Sequence, residues 1–185
     1  RLSGYATTVI DLNPAMIKGF NEYGIKSYFG DASRREFLLA AGLEQAELLV
    51  IAIDNKQHAI DIAHFAREAN PNIKIVARAY DRFHTFDLYR AGANEIVRET
   101  FDSAVRTGTR ALETLGMAPK LAQEIADYYF DADRHEVALM SQVYEPNTGI
   151  FKNPAMREIA RECDQKMAAD IQEILLRAQS KNNDK

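Results

Sequence analysis

Short apolar runs and longer amphipathic stretches alternate through the first hundred residues. Thr7 to Asp11 (TTVID), Ser27 to Asp31 (SYFGD) and Leu48 to Asp54 (LLVIAID) have the length and residue types of strands, and each ends on an acidic residue. Leu48 to Ile53 is almost continuously apolar, which predicts a central parallel strand covered on both faces. Lys74 to Arg78 (KIVAR) and Glu95 to Val97 supply two more strands. Helices fill the gaps. Asn13 caps and Pro14 opens the first, which ends at Tyr23 and Gly24. Ser33, with Glu36 in the matching position of a capping box, opens RREFLLAAG, which Gly42 stops. Asn55 to Asn70 is a helix closed by Pro71, and Asp81 to Ala91 is a helix ended by Gly92. This alternation predicts an α/β fold with a Rossmann-like, doubly wound parallel sheet.

From Phe101 the period changes to helices without strands between them. The segments are FDSAVRTGTRALETLG, then KLAQEIADYYFDADRHEVALM, then a loop with Pro146, Asn147 and Gly149, then PAMREIARECDQKMAADIQEILLRAQ. In the last helix Met156, Ile159, Cys163, Met167, Ile171, Ile174 and Leu175 form one apolar stripe. That stripe either packs on its own domain or docks on a second subunit or partner. The closing SKNNDK reads as a frayed tail. Three parts follow: residues 1–100 as the sheet domain, 101–140 as a helical region, and 141–185 as a loop with an amphipathic helix.

Composition narrows the function. The chain has 185 residues, of which 46% are hydrophobic, enough to bury a sizeable core. A net charge of -4 and a pI near 5.6 argue against general binding to a phosphate backbone, so nucleic acid is not an expected partner. The single cysteine, Cys163, excludes an internal disulfide and a multi-cysteine metal site, and points to a reducing, cytoplasmic compartment. No apolar run approaches the roughly 18 to 20 residues of a transmembrane helix, and Arg1 to Asn13 lacks the form of a signal peptide. The opening RLSGYATTVID has no initiator Met and looks like a cut. A dinucleotide fold carries strand, glycine turn and helix ahead of its ribose-binding acid, and here the first strand and turn are absent.

In a parallel α/β sheet, ligands bind outside the carboxyl ends of the strands, so the acidic strand ends predict a nucleotide-facing rim. Asp11, followed by Leu12, can accept from a ribose hydroxyl pair and disfavours a 2′-phosphate, which favours AMP or NAD(H) over NADP. An Asx turn ahead of Pro14 accounts for Asp11 equally well. Asp31, Ala32 and Ser33 fall on the adenine side, and Asp54 with Asn55 faces the phosphates or second ribose. Arg78 closes KIVAR as the cation nearest a pyrophosphate, or else makes a surface salt bridge. Arg34 and Arg35 sit at a helix start, where they oppose the dipole and suit an anion or an acidic partner.

No catalytic set accompanies this rim. His58, His64, His84 and His135 are scattered, and His135–Glu136 lacks the second His of a zinc-protease helix. No glycine-flanked nucleophilic Ser is present, and Cys163 has a core-facing spacing. A nucleotide rim without acid, base and nucleophile predicts a sensor, not an enzyme.

The segments TTVIDLNP (7–14), YFGDASRREFLLAAG (28–42), AELLVIAIDN (46–55), IVARAYDRFH (75–84) and VRETFDSAVRTGTRALETLG (97–116) together resemble the RCK domain, also called KTN. The resemblance runs to about Met140 and is greatest to the cytosolic domain of Kef glutathione-gated potassium efflux systems. It implies a homodimer formed through Phe101 to Met140, attached to the transmembrane potassium efflux domain of the same polypeptide at the inner membrane. It also implies AMP or NAD(H) in the cleft, glutathione or glutathione adducts as gating ligands, and an ancillary cytosolic subunit as a further partner. Arg98 matches a glutathione-site arginine, Asp102 an acidic gating residue near it, and Asp133 a position where the family can place an asparagine contacting glutathione. A carboxylate at Asp133 accepts only, and it needs a cation such as Arg134 to offset its repulsion of the ligand's carboxylates. Arg98 and Asp102 are also spaced for a local i, i+4 pair. Two rivals remain: an RCK subunit of a potassium uptake system or channel, and a fragment of an NAD-dependent dehydrogenase.

Overall fold

Ile75, Ala77 and Ala79 are all buried along one face of β4 (Lys74–Ala79), and the core of the first half of the chain is assembled on them. The computed structural model describes residues 3–146, 148 and 152–183, and divides into two compact units, Arg1–Val97 and Arg98–Lys185. The first unit holds β1 (Thr8–Asp11), α1 (Pro14–Glu22), β2 (Lys26–Phe29), α2 (Arg35–Ala40), β3 (Leu48–Ile51), α3 (Lys56–Ala69), β4, α4 (Arg82–Arg90) and β5 (Glu95–Arg98), whose last residue opens the second unit. β1 and β2 pair in parallel, with Thr8 opposite Lys26 and Asp11 opposite Phe29. A three-stranded sheet has the order β3-β4-β5, with β3 and β4 parallel. Small residues Ala59, Ala63 and Ala66 with Ile62 let α3 lie close against Ile51, Ile75 and Ala77, and Leu38, Leu43 and Leu88 complete the cluster.

The expected helix boundaries hold for α1, α3 and α4. Asn13 accepts from Ala15 N at 2.9 Å, Asn55 from His58 N at 3.0 Å and Asp81 from His84 N at 2.8 Å. Two expectations fail. Ser33 does not cap α2; the cap position is Arg34, which makes no side-chain cap bond, because Ser33 is held by Asp31 instead. Nor is β3 covered on both faces. Leu48 is 52% and Val50 62% exposed, and among the described residues β1 and β3 are end strands of their sheets.

The second unit is helical: α5 (Phe101–Thr114), α6 (Pro119–Val143) and α7 (Pro154–Asn183). The apolar stripe of α7 packs on α6, with Met156 and Ile174 buried. Its own domain covers Met156 and Ile174, while Ile159, Cys163, Met167, Ile171 and Leu175 of the stripe are half-buried. Asn153 joins the two helices, donating to Val143 O at 2.9 Å while its side-chain oxygen accepts from Met156 N at 3.1 Å. α7 continues to Asn183, so Ser180 to Asn183 of the closing SKNNDK are helical, and Asp184 and Lys185 lie outside the described residues. Asn147 and Gly149 of the expected loop lie outside the described residues.

Candidate functional site

The acidic strand ends are built as tight loops that each use only part of a carboxylate. Asp11 Oδ1 accepts from Asn13 N at 2.7 Å, an Asx turn that leads directly into the Asn13 cap and Pro14. Asp31 Oδ1 accepts from both Ser33 N (2.9 Å) and Ser33 Oγ (2.7 Å). In each case Oδ2 has no partner among the described residues. The two loops are tied by Gly30 N donating to Asp11 O at 3.1 Å. Gly30 is required there, since a Cβ would come within 2.5 Å of the Phe37 ring. Leu12 stands exposed beside Asp11, and Ala32 is half-buried between Asp31 and Ser33.

The Ser33 hydroxyl, and then its backbone N–H, hold the Asp31 carboxyl below its ordinary value, with the charges of His58 and Arg34 adding to the effect. His58 belongs to the first turn of α3.

The ends of β3 and β4 form the other half of the rim. Arg78 donates to Asp54 Oδ1 at 2.5 Å, so the cation expected near a pyrophosphate is held by the neighbouring strand's acid. The Asp54 side chain is otherwise open to solvent, and the Asn55 side chain is committed to capping α3. Beside them Lys56 pairs with Asp81, and its ammonium lies 4.5 Å from the centre of the Tyr80 ring.

Asp81 is a further acid at this rim, two residues beyond β4, that the strand-end spacing of KIVAR does not reveal. It follows β4 as Asp31 follows β2, and its local signal in the sequence is that of a helix start. Burial raises its pKa, but the His84 N–H and Lys56 outweigh this and hold it below the ordinary carboxylate value. His84 is buried; its Nδ1 accepts from Tyr80 N at 3.1 Å, which places the neutral ring's proton on Nε2. Nε2 has no partner among the described residues, and burial keeps His84 from protonating at its ordinary pKa.

In the second unit Arg98 and Asp133 form an ion pair with side chains only 14% and 3% exposed. The guanidinium also sits 3.7 Å from the centre of the Phe101 ring, which packs on Tyr129 and Phe130 at 6.1 and 5.6 Å. Asp102 is exposed in the first turn of α5 and is not the partner of Arg98, so the local pair is replaced by one from the end of β5 to α6. Arg134 lies over the Phe130 ring.

Phe101 also lines an apolar groove of about 290 Å³ between α5 and α6, with Ala104, Val105, Leu112, Ile125 and Tyr129. α5 is amphipathic yet buries no residue fully, so its apolar face is open. Among the described residues no cluster of His, Cys, Asp and Glu could hold a metal ion, and no helix is long and apolar enough to cross a membrane.

Comparison with known proteins agrees with this division. The family model for the TrkA-N domain matches residues 1–99, and that for the potassium efflux system KefB C-terminal domain matches residues 103–183. Glutathione-regulated potassium-efflux system protein KefC from Escherichia coli O139:H28, and the proteins of that name from Shigella boydii serotype 18 and Escherichia fergusonii, are 39% identical over 127 residues. These residues are 69% of this chain and 20% of each relative, so the chain spans about a fifth of their length. A solved structure of the Shewanella denitrificans Kef C-terminal domain in AMP-bound form is 37% identical, superimposes with a TM-score of 0.71 and is matched over 87% of its length and 78% of this chain. The TrkA-N domain of the inner membrane protein ybaL from Escherichia coli is 28% identical with a TM-score of 0.55, over 63% of this chain and 82% of that one.

Proposed function

Because the chain belongs to the TrkA-N family and its residues 103–183 match the potassium efflux system KefB C-terminal domain, we propose that it senses an adenine nucleotide and gates potassium efflux in response to glutathione and its adducts. The observation that carries the nucleotide half is the pair of half-used carboxylates, Asp11 and Asp31, tied through Gly30. Asp11 Oδ2 accepts from the ribose hydroxyls, with Leu12 beside the sugar. Asp31, Ala32 and Ser33 border the adenine. Asp54 and Asn55 line the inner cleft, and Arg78 turns from Asp54 toward the phosphate. The AMP in the Shewanella domain supports AMP, with NAD(H) as the other candidate.

The gating half of the reading places glutathione at Arg98, Asp102 and Asp133, and rests on the relatives' description as glutathione-regulated. In this reading the domain is a homodimer through the open α5–α6 face, works on the cytoplasmic side of the inner membrane beneath a transmembrane efflux domain of the same polypeptide, and can take an ancillary cytosolic subunit. Gating is then a shift between two arrangements of the dimer, which a ligand drives only by binding one better than the other.

Calorimetry tests both halves. AMP is expected to bind, and Asp11→Ala to weaken it by about 1–3 kcal/mol, the scale of lost hydrogen bonds to a charged group. Unchanged affinity in Asp11→Ala removes the ribose role. A dimer that binds AMP but neither glutathione nor a bulky adduct belongs instead to the potassium uptake type of regulator.

A further inference from the structure

We propose that buried His84 is a positioning residue for the inner cleft: its neutral ring holds the turn that seats the Lys56 ammonium, and taking up a proton releases that turn and weakens nucleotide binding. The inference rests on the nucleotide reading of the cleft, and it adds a residue and a proton that control it.

Lys56 follows Asn55 at the start of α3, and its ammonium is held on two sides, by the Asp81 carboxylate and by the Tyr80 ring at 4.5 Å. Both holders depend on His84. Tyr80 N donates to His84 Nδ1 at 3.1 Å and His84 N donates to Asp81 Oδ1 at 2.8 Å, so one residue fixes the turn between β4 and α4 from its ring and its backbone. Only 3% of His84 reaches solvent. An imidazolium carries a proton on both nitrogens, so a charged His84 sets Nδ1–H against the Tyr80 N–H, donor against donor. Turning the ring restores no acceptor, because Nε2 is protonated as well. The groups facing the ring are the Tyr80 N–H of β4, Asp81 and Asp87 of the turn and α4, and Lys56 of α3. Burial disfavours the charged ring and outweighs the rest. The two carboxylates favour the charge, as does the Lys56 carbonyl, which is not in hydrogen-bond geometry with Nε2, while the Lys56 ammonium opposes it. His84 is therefore neutral at pH 7, and acid is what undoes the turn.

The test measures AMP binding by calorimetry to the 185-residue chain and to His84→Asn at about pH 7.5 and at steps down to about pH 5, spanning the ordinary range of a histidine. The Asn side-chain oxygen can accept where Nδ1 does and cannot take up the proton. Titration of the AMP phosphate is common to both proteins and cancels in the ratio of their affinities. The two are expected to bind alike at the alkaline end. In acid, wild type is expected to fall behind, about twofold where half the chains carry the His84 proton and approaching tenfold for each further unit. The Tyr80 amide and the Asp81 carboxyl carbon should move in NMR spectra with the midpoint of the His84 ring. A ratio that stays constant while His84 titrates, or one that favours wild type in acid, overturns the proposal, and so does a His84 that stays neutral throughout. If neither protein binds AMP at the alkaline end, the nucleotide reading fails. The positioning claim is then decided by the Lys56 Cε resonance, which supports it by moving with the His84 midpoint and overturns it by staying fixed. Should His84→Asn not melt cooperatively, His84→Gln, equally unable to take up the proton, takes its place.

Discussion

Tyr128 donates its phenolic hydrogen to Asp170, Oη to Oδ2 at 2.5 Å, and so joins α6 to α7 beside the apolar stripe of the latter. Asp170 is shared with Lys166 at 2.6 Å. Burial, and then the hydrogen bond to Asp170, push the Tyr128 pKa up to about 12. Because the folded value lies above the ordinary 10, the protonated phenol's contribution is complete below pH 10 and is lost as pH rises through about 12. Tyr128→Phe should lower stability by about 0.5–1.5 kcal/mol at neutral pH. It should also flatten the alkaline limb of a plot of melting temperature against pH. Identical alkaline limbs in the two proteins would remove this role.

Asp31 makes the opposite prediction at low pH. Its folded pKa is lowered from 3.8, first by the Ser33 hydroxyl, so its contribution is present above 3.8 and is lost as pH falls through the folded value. Ser33→Ala should return the carboxyl toward 3.8, observable as an upward shift in the Asp31 carboxyl carbon titration by NMR. A titration that does not move would mean that the backbone N–H alone sets the value.

His84 should make the chain sensitive to mild acid. Burial lowers its pKa from 6.5, so the unfolded chain takes up the proton first and stability falls as pH drops below 6.5. Comparing melts at pH 7.5 and 5.5, His84→Gln should lose less of its own stability over that interval than wild type. Equal losses would assign the acid sensitivity to other groups.

The open α5–α6 face predicts a dimer that a single charge disrupts. Ala104 is exposed and lines the groove, so Ala104→Arg does not touch the monomer's core. A cation brought into an apolar interface without a partner is unfavourable by about 1–3 kcal/mol or more, which should weaken dimerisation roughly tenfold or beyond. Sedimentation over a range of protein concentrations reads this directly, and an unchanged dissociation constant places the dimer contact elsewhere.

The alternation of elements was legible because the strands are short and three of them, β1, β3 and β4, are followed by a helix-starting residue whose cap is local. Asn13, Asn55 and Asp81 reach N–H groups only two or three positions away. Ser33 misled for an equally local reason: Asp31, two positions upstream, takes both its N–H and its hydroxyl before the helix can. The partner of Arg98 could not be read from spacing. Asp102 is four residues distant and exposed, whereas Asp133 is 35 positions away and buried, and only the α5–α6 packing brings it near. The exposure of Leu48 and Val50 was hidden too, since an apolar strand records the burial it is suited to rather than what lies beside it.

Phe101 is a wall shared by two rooms. One side seats the Arg98 guanidinium and the other lines the α5–α6 groove. Any event that lifts Arg98 from the ring changes the surface offered to whatever fills the groove. In the proposed reading, whatever factor an anion at Arg98 exerts on filling the groove is by reciprocity the factor that filling the groove exerts on the anion's affinity. Ligand occupancy and subunit association, so read, share one coupling free energy, with a single aromatic ring as the place where they meet.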